Sequence, residues 1–239
     1  MEALEAKARR GRPKQENSLT KENILQEAVA LIDEIGLEQF SVRTLAKRLG
    51  VFPRAIYWHL SNKNALLSAV VNHCTQGVDP RTPPSDWKGW IAELLHSYRS
   101  VVRRHPRIAP LIASQLLSNR GADLMLADRL LGVLEGAGFI GEKLLSAFDV
   151  VIAAQLGFVT MEHAALPEDD YADWAESMRE TVADIDETSY PHLARYRESL
   201  ANRHFILRWE NGITVPLDTS FNRYVFVVIQ GLEHLLQAQ

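Results

Sequence analysis

Between residues 41 and 63 the chain carries Arg43, Lys47, Arg48, Arg54 and Lys63 and not one Asp or Glu. Cations without counter-charges suit a polyanion, and the strongest polyanion in a cell is nucleic acid. Interleaved with them are Phe52, Pro53, Ala55, Tyr57 and His59. Arg54 is the only member of this inner group able to pair with guanine through two parallel hydrogen bonds, so it is the candidate base reader. Phe52, Pro53 and Ala55 suit thymine methyl groups. Arg43 reaches either a base or a phosphate, while Lys63 and the Tyr57 hydroxyl suit phosphates. The chemistry on offer is the reading of a DNA duplex.

Other chemistries find no support. The sequence has no phosphate-cradling glycine loop and no Gly-x-Ser-x-Gly elbow, and no two of its eight histidines have the spacing of a helical metal site. Cys74 is the single cysteine, which excludes an internal disulfide and a cysteine-based zinc site and leaves it a small apolar helix residue. No catalytic residue, cofactor or metal is therefore expected. Hydrophobic residues make up 46% and charged residues 23%, as in an ordinary globular protein. No apolar stretch is expected to approach the roughly 20 residues of a membrane helix. Met1 to Lys14 is charged and lacks the apolar centre of a signal peptide, which points to the cytoplasm. The net charge of −4 conceals an asymmetry: residues 1–63 hold 11 Lys/Arg against 8 Asp/Glu, and the remainder holds 15 against 22.

The elements that must position these residues are helical. Thr20 precedes Ile24, Ala28, Leu31, Ile32 and Ile35 at helical spacing, with Gly36 to end the run. Ser41 caps a short second helix that stops at Gly50, and a third starts at Phe52 or Pro53 and runs to His59. Ser61 and Asn62 open a fourth that turns Ala65, Leu66, Ala69 and Val70 inward. Helix, glycine turn and helix over 41–60 form a helix-turn-helix, whose second helix enters the major groove. Trp58 is expected to pack between that helix and its neighbours. After the proline-rich break at Asp79–Pro84, the periodicity predicts helices near 86–104, 107–118, 121–137, 142–165, 170–184, 190–201 and 220–237. Arg208 to Asp218, with Asn211-Gly212 and Pro216, reads as a loop able to hold a short hairpin. The fold class is all-α, with a basic arm over 1–17, a three-helix DNA-binding unit and its connector over 18–77, and a larger helical ligand-binding and dimerisation domain over 78–239.

The run Thr44-Leu45-Ala46-Lys47-Arg48-Leu49-Gly50-Val51, then Ala55-Ile56-Tyr57-Trp58-His59-Leu60 and Asn62-Lys63-Asn64-Ala65-Leu66-Leu67, resembles the signature of the TetR family. The Tyr-Trp-His and Asn-Lys-x-Ala-Leu-Leu portions are similar to its tetracycline-repressor subgroup. The resemblance implies DNA contacts at Arg43, Phe52, Arg54, Ala55, Tyr57, His59 and Lys63. Phe52-Pro53-Arg54 departs from the subgroup, so a different operator is expected. Ahead of the first helix, Arg-Gly-Arg-Pro at residues 10–13 resembles an AT-hook, in which Arg10 and Arg12 would enter a narrow minor groove. A solubilising tail is the competing reading.

The resemblance also implies a homodimer and an effector cavity. The helices around 150–163 and 221–236 are apolar over much of their circumference and must be covered, with Leu156, Val159, Phe226, Ile229 and Leu232 as candidate dimer contacts. Burial in the chain's own core is the alternative. Trp90, Leu94, Tyr98, Ile112, Gln115 and Phe158 are the candidate cavity lining, though each singly also suits a core. Leu94 and Ile112 stand where the subgroup places polar side chains on the drug and its metal, which argues against tetracycline-magnesium and for a larger, more apolar effector. The function implied is a sequence-specific transcription regulator, most simply a repressor released from palindromic operator DNA by a small molecule. Two rivals differ in kind: an all-helical enzyme or binding protein, separated by turnover of its ligand, and a non-specific architectural DNA protein, separated by binding that depends on salt but not on sequence.

Overall fold

The computed structural model describes residues 19–78, 80–117, 124–167 and 170–238. Among them there are eleven α-helices and no strand. The first four are α1 (Lys21–Gln39), α2 (Val42–Leu49), α3 (Pro53–His59) and α4 (Lys63–Thr75).

Their ends follow local chemistry. The Thr20 hydroxyl accepts the Asn23 N–H, and the Asn62 side chain accepts the Ala65 N–H. Ser41 and Thr44 cap α2 reciprocally, each satisfying a backbone donor that the first turn leaves open. Gly50, at φ 67°, supplies the left-handed residue that ends α2 and starts the turn. Gly36 interrupts α1 at φ 80° and ψ 163°, a conformation that favours glycine, and the chain resumes a short turn before Phe40. Ile24, Ile32, Leu45, Ile56 and Leu66 are fully buried and hold the four helices together.

Seven helices follow: α5 (Trp87–Arg104), α6 (Ala109–Leu117), α7 (Leu124–Gly136), α8 (Gly141–Glu162), α9 (Tyr171–Ala183), α10 (Pro191–Leu200) and α11 (Asp218–Gln237), with a 3-10 turn at Pro106–Ile108 between α5 and α6. α8 lies at the centre, against α5, α6, α7 and α11. The loop expected to hold a hairpin over 208–218 contains no strand; it is a series of turns whose backbone bonds to Asn211 and Glu162.

α8 also corrects an expectation. At 22 residues and a mean hydropathy of 1.8 it is long and apolar enough, by length and composition, to cross a membrane. Asp149 is the only charge from 144 to 161, and it breaks the run into pieces that look short when apolar residues are counted consecutively. In the fold, one face of α8 is covered by its neighbours and its last residue, Glu162, is wholly buried in an ion pair.

The first four helices meet the rest at the 3-10 turn. His105 Nδ1 lies 2.6 Å from Asp33 Oδ2 on α1, Arg107 donates to the Glu34 carbonyl at 2.7 Å, and α4 packs on α6. Buried apolar residues from both halves form one continuous cluster.

Candidate nucleic-acid interface and effector interior

α3 is seven residues long and too short to be stable alone, so its direction is set by its anchors. Ile56 is fully buried and Leu60 nearly so. Pro53 occupies the first turn, where its missing N–H and fixed φ do no harm. With the inner face pinned, the outer face presents Arg54, Tyr57, Trp58 and His59, while Phe52 precedes the helix as its N-cap. Pro53 and Ala55 are half-buried at its edge.

Phe52 is 85% exposed and Trp58 79% exposed. Trp58 was expected to pack between helices, and the structure corrects this: the helical turn puts Ile56 and Leu60 inward, and residue 58 between them points away. Two large apolar side chains held in water on one short helix are a departure that calls for a partner.

The cations sort themselves. Arg48 is turned back, its Nε 2.9 Å from Glu27 Oε2 and its Nη1 on Glu34, and these carboxylates raise its pKa further. Among the described residues Arg43, Lys47, Arg54 and Lys63 make no ion pair, and all four are exposed. Arg43 opens α2 and Lys63 opens α4, so free positive charge flanks the α3 face on both sides. Arg10 and Arg12 lie outside the described residues.

The candidate effector residues lie in the interior of the second part. Trp90, Leu94 and Tyr98 follow one another along α5 at four-residue steps and are all buried, as are Ile112 on α6 and Phe158 on α8. Gln115 is on α6, but its side chain lies outside the described residues. The Tyr98 hydroxyl is buried and has no hydrogen-bond partner, and burial pushes its pKa well above the usual phenol value. Phe158 stacks edge-on with Phe205 at 4.9 Å and Phe221 at 5.2 Å, so α11 and the loop before it close over this end of the interior.

One buried polar group is not legible from any sequence spacing. Arg99 Nε and Nη2 donate to Glu162 at 2.8 and 2.6 Å, and Arg99 also lies 2.8 Å from Asp218. The Leu217 N–H donates to the same Glu162 carboxylate at 2.8 Å, and the Gly212 N–H donates to its carbonyl at 2.7 Å. Burial alone would raise the Glu162 pKa; the Arg99 pair and the Leu217 N–H overcome it and hold the carboxyl below its ordinary value. Next door, burial lowers the pKa of His163, whose ring nitrogens both lack a hydrogen-bond partner. Arg99 and Glu162 are 63 residues apart, and no local pattern links them.

The proposed dimer residues divide. Phe226 is 63% exposed on α11, and Leu156 and Ile229 are half-buried. Val159 and Leu232 are buried within this chain, which corrects their assignment to an outer face. Val159 falls on the inward stripe of α8 with Val151 and Gln155, and Leu232 on that of α11 with Phe221 and Val225. The exposed apolar residues of these helices are instead Leu145, Val150 and Met161 of α8, and Phe226 and Val227 of α11.

Comparison with known proteins agrees with this geometry. Residues 24–70 match the family model described as bacterial regulatory proteins, tetR family, and residues 79–234 match that of the tetracyclin repressor-like C-terminal domain. An HTH-type transcriptional regulator from Saccharopolyspora erythraea is 30% identical over 180 residues, covering 74% of each chain. The class C tetracycline repressor protein of Escherichia coli is 28% identical over 232 residues, covering 92% of this chain and 93% of that one. Among solved structures, a possible TetR family transcriptional regulator from Streptomyces coelicolor superposes with a TM-score of 0.70 at 25% identity, covering 90% of this chain and 100% of that one.

Proposed function

The chain belongs to the TetR family of bacterial regulatory proteins, and from that premise we propose that it is a homodimeric repressor that leaves its operator when a small molecule enters the helical interior. The observation that carries the DNA half is the α3 face: Phe52 and Trp58 exposed in water beside Arg54, with Arg43 and Lys63 unpaired on either flank. In this reading Arg54 pairs with a guanine, Phe52, Pro53 and Ala55 meet thymine methyls, and Arg43, Tyr57, His59 and Lys63 position the helix on the backbone. The basic arm of residues 1–17, through Arg10 and Arg12, adds salt-sensitive affinity. Residues 18–77 form the reading head, and residues 78–239 the sensor.

Two heads must be held about one helical turn of DNA apart to read a palindrome. The exposed apolar residues Val150 and Met161 of α8, with Phe226 and Val227 of α11, support a face that a second copy would cover. Leu156, Phe226 and Ile229 remain in that interface; Val159 and Leu232 support it from behind. The work of such a protein lies in the cytoplasm, where the operator is.

The sensor half is supported by Tyr98, whose buried hydroxyl has no partner. A ligand that is mostly apolar, packed on Trp90, Leu94, Ile112 and Phe158, and carrying one oxygen to accept from Tyr98, completes what the fold leaves open. Coupling of about 1–3 kcal/mol between ligand and operator lowers DNA affinity by about 5- to 150-fold.

The test is binding to the DNA flanking the protein's own gene, and to fragments selected from the genome, against unrelated competitor duplex. Saturable binding that survives competitor and collapses in Arg54→Ala and Tyr57→Ala is the expected result. Binding equal for all duplexes would refute the reading.

A further inference from the structure

A cleft of about 450 Å³ lies where α1 and α4 meet the end of α5. It shares no lining residue with the candidate effector interior. Its polar groups are incompletely satisfied. Asp33 uses Oδ2 to hold His105 at 2.6 Å, but its Oδ1 is buried with no hydrogen-bond partner. His73 also lines the cleft, and its Nδ1 is likewise buried and unbonded, with a Glu22 carboxylate oxygen 3.7 Å away. Val29, buried, and Ala30, exposed, supply apolar surface beside them.

We propose that this cleft is a second small-molecule site, taking an aliphatic amine whose ammonium pairs with the partly exposed Asp33 carboxylate and whose hydrocarbon stem lies on Val29 and Ala30. The polarity follows from what each atom can do. A carboxylate oxygen only accepts, so the occupant must donate. A water beside the Asp33 carboxylate leaves the apolar surface wet, whereas an alkylammonium covers it and brings the opposite charge. Arg104 also lines the cleft and would favour an anion, but it is solvent-exposed and screened. The site touches the reading head through α1 and α4 and the sensor through α5. An occupant that prefers one arrangement of the two therefore changes operator affinity, and operator changes its affinity by the same factor.

Cys74, the only thiol in the chain, lines the same cleft and reports on it directly. Burial pushes its pKa up to about 12, so its reaction with a small neutral reagent such as methyl methanethiosulfonate is slow and sensitive to anything that covers it. The rate is measured on the full-length protein in n-butylammonium chloride, 1-butanol and sodium butyrate at matched ionic strength. Saturable slowing by butylammonium alone is expected. In Asp33→Asn the half-effect concentration rises about tenfold or more. Ala30→Met, which narrows the cleft and keeps the carboxylate, weakens the amine effect. His105→Gln, whose amide can still donate to Asp33, preserves that effect. Circular dichroism and thermal melting confirm that each variant is folded. No saturable slowing, equal slowing by all three probes, slowing by butyrate alone, or an unchanged response in Asp33→Asn would each overturn the proposal. Operator binding by the same samples reports separately on the regulator itself.

Discussion

Replacing Glu162 by Gln is the most informative perturbation of the sensor. The side chain is wholly buried and joins three elements: Arg99 on α5, its own helix α8, and the Leu217 N–H at the entrance to α11. Glutamine keeps the shape and can still accept from Leu217, but it leaves Arg99 with only Asp218, which is 57% exposed. Removing one partner of a buried, hydrogen-bonded ion pair destabilises by about 3–5 kcal/mol, because the other charge stays behind. Partial compensation by Asp218 places the expected loss at the lower end, about 3 kcal/mol, which for a chain of this size lowers Tm by about 6–12 °C. The pH dependence supplies the second half of the test. The folded carboxyl holds its proton more weakly than the unfolded one, so the stabilisation is complete above about pH 4.5 and is lost as pH falls below that value and through the lower folded pKa. Urea denaturation followed at 222 nm, at fixed protein concentration from pH 7 to pH 3.5, measures both. The wild type should lose stability more steeply than Glu162→Gln on the acid side. A variant within about 0.5 kcal/mol of the wild type at pH 7, or an equally steep acid limb, would show that the pair does not hold these helices together.

Other consequences are as specific. Arg54→Ala should weaken operator binding by about 1–3 kcal/mol and relax preference at one base pair, whereas Lys63→Ala should weaken all sequences alike and reduce the salt slope by about 1; quantitative footprinting at several salt concentrations separates them. Phe226→Glu should yield folded monomers by light scattering, while Leu232→Ala should leave the oligomer unaltered in kind but lower stability by about 2–5 kcal/mol. Tyr98→Phe removes a buried hydroxyl that has no partner, so its stability should equal or exceed that of the wild type while affinity for an effector that accepts from it falls; a destabilised Tyr98→Phe in calorimetry would mean that the hydroxyl is already satisfied.

The first four helices were legible because their signals are local. Ser41 with Thr44, Asn62, Gly50 and Pro53 each act within a few residues, and the structure places a cap or a turn at every one of them. The sensor helices were found with similar success, their ends displaced by a few residues, such as α8 ending at Glu162 rather than 165. Orientation was harder. Val159 and Leu232 sit on helices that are apolar nearly all round, and periodicity cannot say which side meets the rest of the chain. Trp58 misled because a large apolar residue is presumed inside, yet the register set by Ile56 and Leu60 turns it outward. Arg99 with Glu162, and Asp33 with His105, are pairings across 63 and 72 residues, fixed only when the helices pack.

The division of labour on the α3 face also bears on how operator sites are found. In the proposed reading, contacts from Arg43 and Lys63 to phosphate would form on any duplex and weaken with salt, and so would govern capture and sliding. On the same reading Phe52, Pro53 and Ala55 would gain little on a mismatched stretch, because methyl groups out of register would leave them wet. Residence on the operator should therefore be far less sensitive to ionic strength than the rate of arrival, and the same exposed side chains that look like a defect in the free protein set how long it stays.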